Sequence, residues 1–248
     1  MFSNRYIFIY SIIMVVVVAV LLALAATLLK PFQDTNVRVE RMRYILTSMN
    51  IDNTAENAED LYDKFITEEL VLNEKGEITD VYSKGKQVKG SLRAFDIDLK
   101  AELKKKKEGG EMHLPVFKAL VDGQPLTIVP LQGKGLWGPI WGYVSLKEDF
   151  NTVLGSVFDH KGETPGLGAE IALPEFQKQF VDKKIFDESG KFVSIKVVKG
   201  GVKGSKVPEI HGVDAISGGT ITSNGTSAMI DSCLVLYLPY IQKQMSHE

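Results

Sequence analysis

From Tyr6 to Leu29 the chain reads YIFIYSIIMVVVVAVLLALAATLL, with no charge, proline or glycine. As a helix rising about 1.5 Å per residue this run spans roughly 36 Å, enough to cross a hydrocarbon core of about 30 Å. Ala23-Leu24-Ala25 mimics a signal cleavage site. The apolar core of a signal peptide is only about 7–15 residues long, whereas this run begins well before Ala23 and continues through Leu29. The pattern therefore predicts a retained anchor.

Beyond the anchor, Val39, Met42, Ile45, Leu46 and Met49 give Gln33–Met49 a helical stripe, read as a stalk or the first helix of an outer domain. Asn53 followed by Glu56 resembles a capping box. Leu61, Tyr62, Phe65, Ile66 and Leu70 then predict one apolar helix face running to about Val71, followed by glycine and lysine turns from Gly76 to Gly90. Lys104–Lys107, ending in Gly109-Gly110, is a solvated helix end.

From Leu114 the pattern changes to strands. Phe117–Val121 and Pro125–Leu131 flank a tight turn as a hairpin, and Trp141–Leu146, Val153–Asp159 and Phe192–Val198 predict further strands. Pro174–Val181 predicts a short helix. Ser223–Gln242 predicts a final one, bent by Pro239 and burying Leu234, Leu238 and Ile241. The fold expected is α+β: a single amino-terminal transmembrane helix, then one mostly antiparallel sheet domain flanked by helices. The expected division is 1–30 for the anchor, 31–112 for a helical stalk and the first part of the outer domain, and 113–248 for the rest of it.

Charge narrows the partners. With 29 basic and 31 acidic residues the net charge is -2, which argues against nucleic acid. Cys233 is the only cysteine, so no internal disulfide and no paired-cysteine metal or redox site can form. His113, His160, His211 and His247 are scattered without metal-ligand spacing, and no residue is assigned to a metal. Arg5 precedes the span while Lys30, Arg38, Arg41 and Arg43 follow it; a bare charge count would put the carboxyl side in the cytoplasm.

Three glycine clusters carry the candidate chemistry. Gly133-Lys134-Gly135-Leu136-Trp137-Gly138 matches the dinucleotide spacing G-x-G-x-x-G, but Pro139 and a β-leaning run follow where a nucleotide loop must open a helix. It is either a plain turn or a loop that brings Leu136 and Trp137 against a flat ligand. HKGETPGLGAE, His160–Glu170, is an ordinary loop or one whose Glu163, Thr164 and backbone amides meet a polar ring edge. In DAISGGTITSNG, Gly218-Gly219 suits a turn, and Thr222 or Ser223 suits a helix N-cap. Capping explains those hydroxyls; a phosphate at the helix start is the alternative. Ser83-x-x-Lys86 and Lys199-Gly200-Gly201 loosely suggest a penicillin-binding enzyme, but no S-D-N-like element lies between them.

One anchor followed in order by GKGLWGPIWGY, HKGETPGLGAEI and DAISGGTITSNG resembles the C-subunit family of Na+-translocating NADH:quinone oxidoreductases, over nearly the whole chain. The family's motif D-x-x-[S/T]-G-A-T carries covalent flavin mononucleotide (FMN), its phosphate esterified to the threonine. The resemblance implies that Asp214, Ser217, Gly218, Gly219 and Thr220 form this motif here, with Thr220 as acceptor and Thr222 as nearest rival. Gly219 stands where alanine is usual. The ring would lie against Leu136, Trp137 and the loop containing Thr164, Gly166, Leu167 and Gly168.

The same resemblance implies one FMN per chain, relaying single electrons within an oxidoreductase complex. The partners implied are the other subunits, membrane lipid and a flavin transferase that takes FMN from FAD with Mg2+. It implies a bacterial inner-membrane protein with its domain in the periplasm, against the charge count. A G-type subunit of an Rnf ferredoxin:NAD oxidoreductase and a cofactor-free anchored binding domain are the alternatives.

Overall fold

In the computed structural model, residues 3–246 are described. The apolar run belongs to one helix, α1 (Asn4–Ser48). Its most apolar window has a mean hydropathy of 3.2 and is 0% buried, and among the described residues it is the one helix long and apolar enough to cross a membrane. The stretch Gln33–Met49, expected as a stalk or a first helix of the outer domain, continues the same helix through Pro31, and Met42, Ile45 and Leu46 near its end are buried as such a first helix requires. Two compact units result, 1–41 and 42–248. The first is helix from Asn4 onward.

The second unit is built on a seven-stranded antiparallel sheet. Its strands are β1 (Ile66–Leu72), β2 (Ile78–Ser83), β3 (Lys86–Lys89), β4 (Leu114–Val121), β5 (Gln124–Lys134), β6 (Pro139–Leu146) and β7 (Val153–His160), in the order β3-β2-β1-β4-β5-β6-β7. A small parallel pair joins β8 (Lys196–Val198) to β9 (Gly212–Asp214). The helices of this unit are α2 (Ala58–Phe65), α3 (Leu99–Lys107), the single turn α4 (Pro174–Gln177) and α5 (Thr220–Met245).

Both faces of the sheet are covered. Ile140, Val144 and Leu146 of β6 share one core with Met229, Ile230, Leu234 and Tyr237 of α5. The alternate β6 residues look the other way. Ser145 Oγ lies 2.8 Å from Ser48 Oγ at the end of α1, and Tyr143 meets Phe117 edge-on, which in turn meets Tyr62 of α2. Each large apolar side chain so buried contributes about 1.5–3 kcal/mol, which is why α5 and the end of α1 stay on the sheet.

The double coverage also explains where local pattern misleads. The helix predicted to Val71 stops at Phe65, and Ile66–Leu72 is a central strand with Leu70, Val71 and Leu72 all buried. A strand buried on both faces shows a continuous apolar run, which mimics a helix face. The glycine and lysine turns of Gly76–Gly90 enclose β2 and β3. Asn53 is no helix cap: its amide donates to Thr47 Oγ1 and the Ile51 carbonyl, while Asn57 stands at the α2 N-cap. Pro174–Val181 gives one α turn, then a 3-10 turn at Lys178–Phe180. Phe192–Val198 is strand only from Lys196, because Ser194 has φ +62° and breaks the extended run. The final helix starts at Thr220 and runs to Met245; Leu234 and Ile241 are buried as expected, Leu238 only partly, and Tyr237 is fully buried. His247 lies outside the described residues.

Glu69, 2% exposed on β1, anchors the α2 side of the sheet. It accepts hydrogen bonds from Tyr62 Oη, the Phe95 amide and the Arg93 guanidinium, whose Nη2 lies 2.6 Å from Oε1. Burial alone would weaken the Arg93 charge, but the Glu69 hydrogen bonds and charge outweigh it and raise its pKa. Removing one member of such a pair strands the other. Arg93→Ala is expected to cost about 3 kcal/mol in urea unfolding, with Ser83→Ala, which removes a single part-buried hydroxyl bond to the Thr67 carbonyl, costing much less.

Candidate functional site

Three segments converge where β6 begins, β7 ends and α5 starts. The segment Gly133–Gly138 carries the end of β5 into a turn toward β6, closed by the Gly135 amide donating to the Gly138 carbonyl at 2.8 Å. Its first two glycines are required by packing. A Cβ at Gly133 would stand 2.6 Å from Met229 Cβ, and one at Gly135 would stand 2.5 Å from Glu163 Oε1. The turn therefore serves strand connection and carries Leu136 and Trp137 outward, 46% and 69% exposed.

The second segment leaves β7. The Thr164 carbonyl accepts from the Leu167 and Ala169 amides, and Gly166 adopts φ +76°, closed to ordinary side chains. Gly168 packs against α5, where a Cβ would lie 2.4 Å from Thr222 Oγ1. The third segment is the α5 start. Gly218 takes φ +74° and Gly219 is the N-cap, so no capping side chain serves the first-turn N–H groups. Ser223, expected as a cap, instead accepts the Ile216 amide at 3.1 Å.

These segments enclose a cleft of about 220 Å³ lined by Leu136, Trp137, Glu163, Thr164, Leu167, Gly168, Gly218, Gly219, Thr220, Ile221 and Thr222. That is below the roughly 300–1,000 Å³ that encloses a typical small ligand. A larger molecule would sit with part of its surface outside, against the exposed Leu136, Trp137 and Leu167.

Glu163 joins the three segments. It is 4% exposed, and its Oε1 accepts the Trp137 amide at 2.8 Å. Its Oε2 accepts the Thr222 hydroxyl at 2.5 Å. Thr222 is consequently buried, at 2% exposure, whereas Thr220 is partly exposed at the head of the helix. Of the residues singled out in the sequence, Leu136, Trp137, Thr164, Leu167, Gly168, Gly218, Gly219, Thr220 and Thr222 line the cleft. Gly166 shapes the loop from outside the lining. Asp214 does not line it either; its Oδ1 accepts the Val202 amide at 2.7 Å, bracing the approach to the glycine turn. Ser217 lies outside the lining as well. Sequence reasoning does not find Glu163 as organiser or Ile221 as lining. The acid standing directly before T-P-G-L-G is the available signal for Glu163.

The FMN-binding domain family matches residues 135–235, a stretch that contains every residue of the cleft. The C-subunit of the Na+-translocating NADH-quinone reductase of Vibrio vulnificus is 34% identical over 221 residues, 87% of this chain and 84% of that one. The chain belongs to the C-subunit (NqrC) family of Na+-translocating NADH-quinone reductases. The crystal structure of the family member from Parabacteroides distasonis shares 43% identity and a TM-score of 0.72, covering 86% of this chain and 96% of that one. NqrC of Shewanella oneidensis shares 29% identity and a TM-score of 0.67, covering 85% and 98%. Family membership thus agrees with the motifs read in the sequence, and the α+β fold with its mostly antiparallel sheet is the family's own.

Gly168 tests how tightly the three segments are joined. Its substitution by alanine drives a methyl into Thr222 Oγ1 and Glu163 Oε2, whereas alanine at Gly162 enters open space. Gly168→Ala is expected to lower the unfolding free energy by about 1–3 kcal/mol. Gly162→Ala should leave it within experimental error in the same denaturant titration.

Proposed function

We propose that this chain is the flavin-carrying, electron-relaying subunit of a Na+-translocating NADH:quinone oxidoreductase, with one FMN esterified through its phosphate to Thr220. The observation that carries the assignment is the division of labour between the two threonines. The Thr222 hydroxyl is buried and committed to Glu163, while Thr220 stands at the lip of the cleft on the first turn of α5. A phosphate joined to Thr220 would meet first-turn N–H groups that have no side-chain cap, and a helix start of 26 residues favours an anion there.

The residues present fit such a group. Gly218 lets the chain turn beneath the phosphate, and Leu136, Trp137 and Leu167 offer an apolar, partly exposed surface to a flat ring. Thr164 and the backbone of its loop supply polar contacts at the ring's edge. Gly219 carries no methyl where the family usually has alanine. A Cβ there would lie 3.0 Å from Ile216 Cγ2, so that Ile216 already occupies the space. When bound, the flavin supplies the electron transfer; the protein holds it, orients it and limits its exposure to water.

In this reading the span at 6–29 anchors the chain in the bacterial inner membrane. Residues 31–112 complete the sheet on which the flavin-holding part, 113–248, is built. The outer domain faces the periplasm, as the family resemblance implies; the opposing count of flanking charges does not govern large translocated domains. The remaining subunits of the complex, membrane lipid and a flavin transferase drawing FMN from FAD with Mg2+ are the partners.

The test is to express the chain from Phe32 onward in a periplasm containing a flavin transferase, then denature it. In-gel fluorescence and intact mass should show one added FMN, lost in Thr220→Ala and retained in Thr222→Ala. Thr222→Ala should instead lose about 1–3 kcal/mol of stability, because Glu163 loses a buried donor. Flavin lost only in Thr222→Ala would refute the acceptor, and an unmodified wild type beside a flavinylated control protein would refute the function.

A further inference from the structure

Glu163 is held from behind through its backbone as well as from the cleft through its carboxyl. Its own amide donates to His160 Nδ1 at 3.1 Å. In this bond the imidazole Nδ1 accepts through its lone pair. The His160 amide in turn donates to Asp159 Oδ1 at 2.7 Å. The other oxygen of that carboxylate, Oδ2, accepts the hydroxyl of Tyr44 on α1. One unbroken polar path therefore runs from α1 through Asp159, His160 and Glu163 to the Trp137 amide and the Thr222 hydroxyl.

The same end of α1 is pressed onto the two strands that feed the cleft. Ser48 meets Ser145 on β6, and the Asn50 side-chain amide donates to the Leu154 carbonyl on β7 at 3.0 Å. At Gly155 a Cβ would lie 2.6 Å from the Ser48 carbonyl, so the helix end approaches as closely as the backbone allows. Strand β6 starts one residue after the glycine turn, and β7 ends at His160 itself. These contacts fix the helix end on the strands, and the route onward to Trp137 is the one through Asp159, His160 and Glu163.

We propose that Tyr44, Asp159 and His160 are positioning residues for the cleft, transmitting the seating of the α1 end on the sheet to Glu163 and thence to Trp137. The effect on a flavin rests on the function proposed above; the effect on Trp137 does not. None of the three lines the cleft. Their role is to hold the group that does.

The experiment uses the full chain in detergent with Trp141→Phe, which leaves Trp137 as the only indole of the two in the sequence. Its fluorescence anisotropy and iodide quenching are read in Tyr44→Phe, His160→Leu and His160→Asn, with Ser83→Ala on β2, away from the cleft, as control. Unfolding curves confirm that each variant is folded. Anisotropy should fall and quenching rise in Tyr44→Phe and His160→Leu. His160→Asn should restore both, because its Oδ1 can stand where Nδ1 accepts the Glu163 amide. Flavinylated samples of the same series should show an altered visible circular dichroism of the flavin in the first two variants only. Unchanged Trp137 signals in folded His160→Leu, an equal change in Ser83→Ala, or no rescue by asparagine would overturn the proposal. A wild type without flavin, but with Trp137 responding as expected, would reject the flavin reading alone.

Discussion

A single buried carboxyl, that of Glu163, sets the shape of everything around the cleft. A buried acid must find hydrogen-bond donors or lose several kcal/mol. Glu163 finds them in the Trp137 amide and the Thr222 hydroxyl, on two other segments of the chain. Meeting that requirement brings a strand connection, a loop and a helix start together. The glycines follow from the same constraint, since a Cβ at Gly135 or Gly168 would stand 2.5 Å from a Glu163 oxygen. Two of the three glycine motifs are thus, in part, the imprint of an acid that neither side can crowd.

The constraint also sorts the hydroxyls gathered at the start of α5. Ser223 turns back to the Ile216 amide, Thr222 points inward to Glu163, and Thr220 remains at the surface of the cleft. Only one of the three is left for a ligand. The helix start beside it, without a side-chain cap, and the exposed Leu136, Trp137 and Leu167 are two chemically different surfaces within one small site, which the proposed function assigns to a phosphate and a flat ring.

Much of this is legible in the sequence. The anchor is plain from an uncharged run, and strands β4–β7 from short apolar runs bounded by turn residues, although most of their positions are buried on both faces. The motif order identifies the family. The errors fall where local pattern carries no record of the surroundings or of the backbone conformation. β1 resembles a helix because it is buried on both sides, and α5 seems to begin three residues late because its cap is a glycine with no side chain to signal it. Glu163 reads only as a polar loop residue, because its meaning lies in Trp137 and Thr222, 26 and 59 positions away. The path from Tyr44 spans 115 positions and leaves no local trace at all.

The most direct test of the account is a crystal structure of the flavinylated outer domain. It should show continuous density from Thr220 Oγ1 into the FMN phosphate, the ring lying against Leu136, Trp137 and Leu167, and Thr222 still donating to a buried Glu163. Density joined to another side chain, or a ring seated away from this cleft with Glu163 released to solvent, would contradict it.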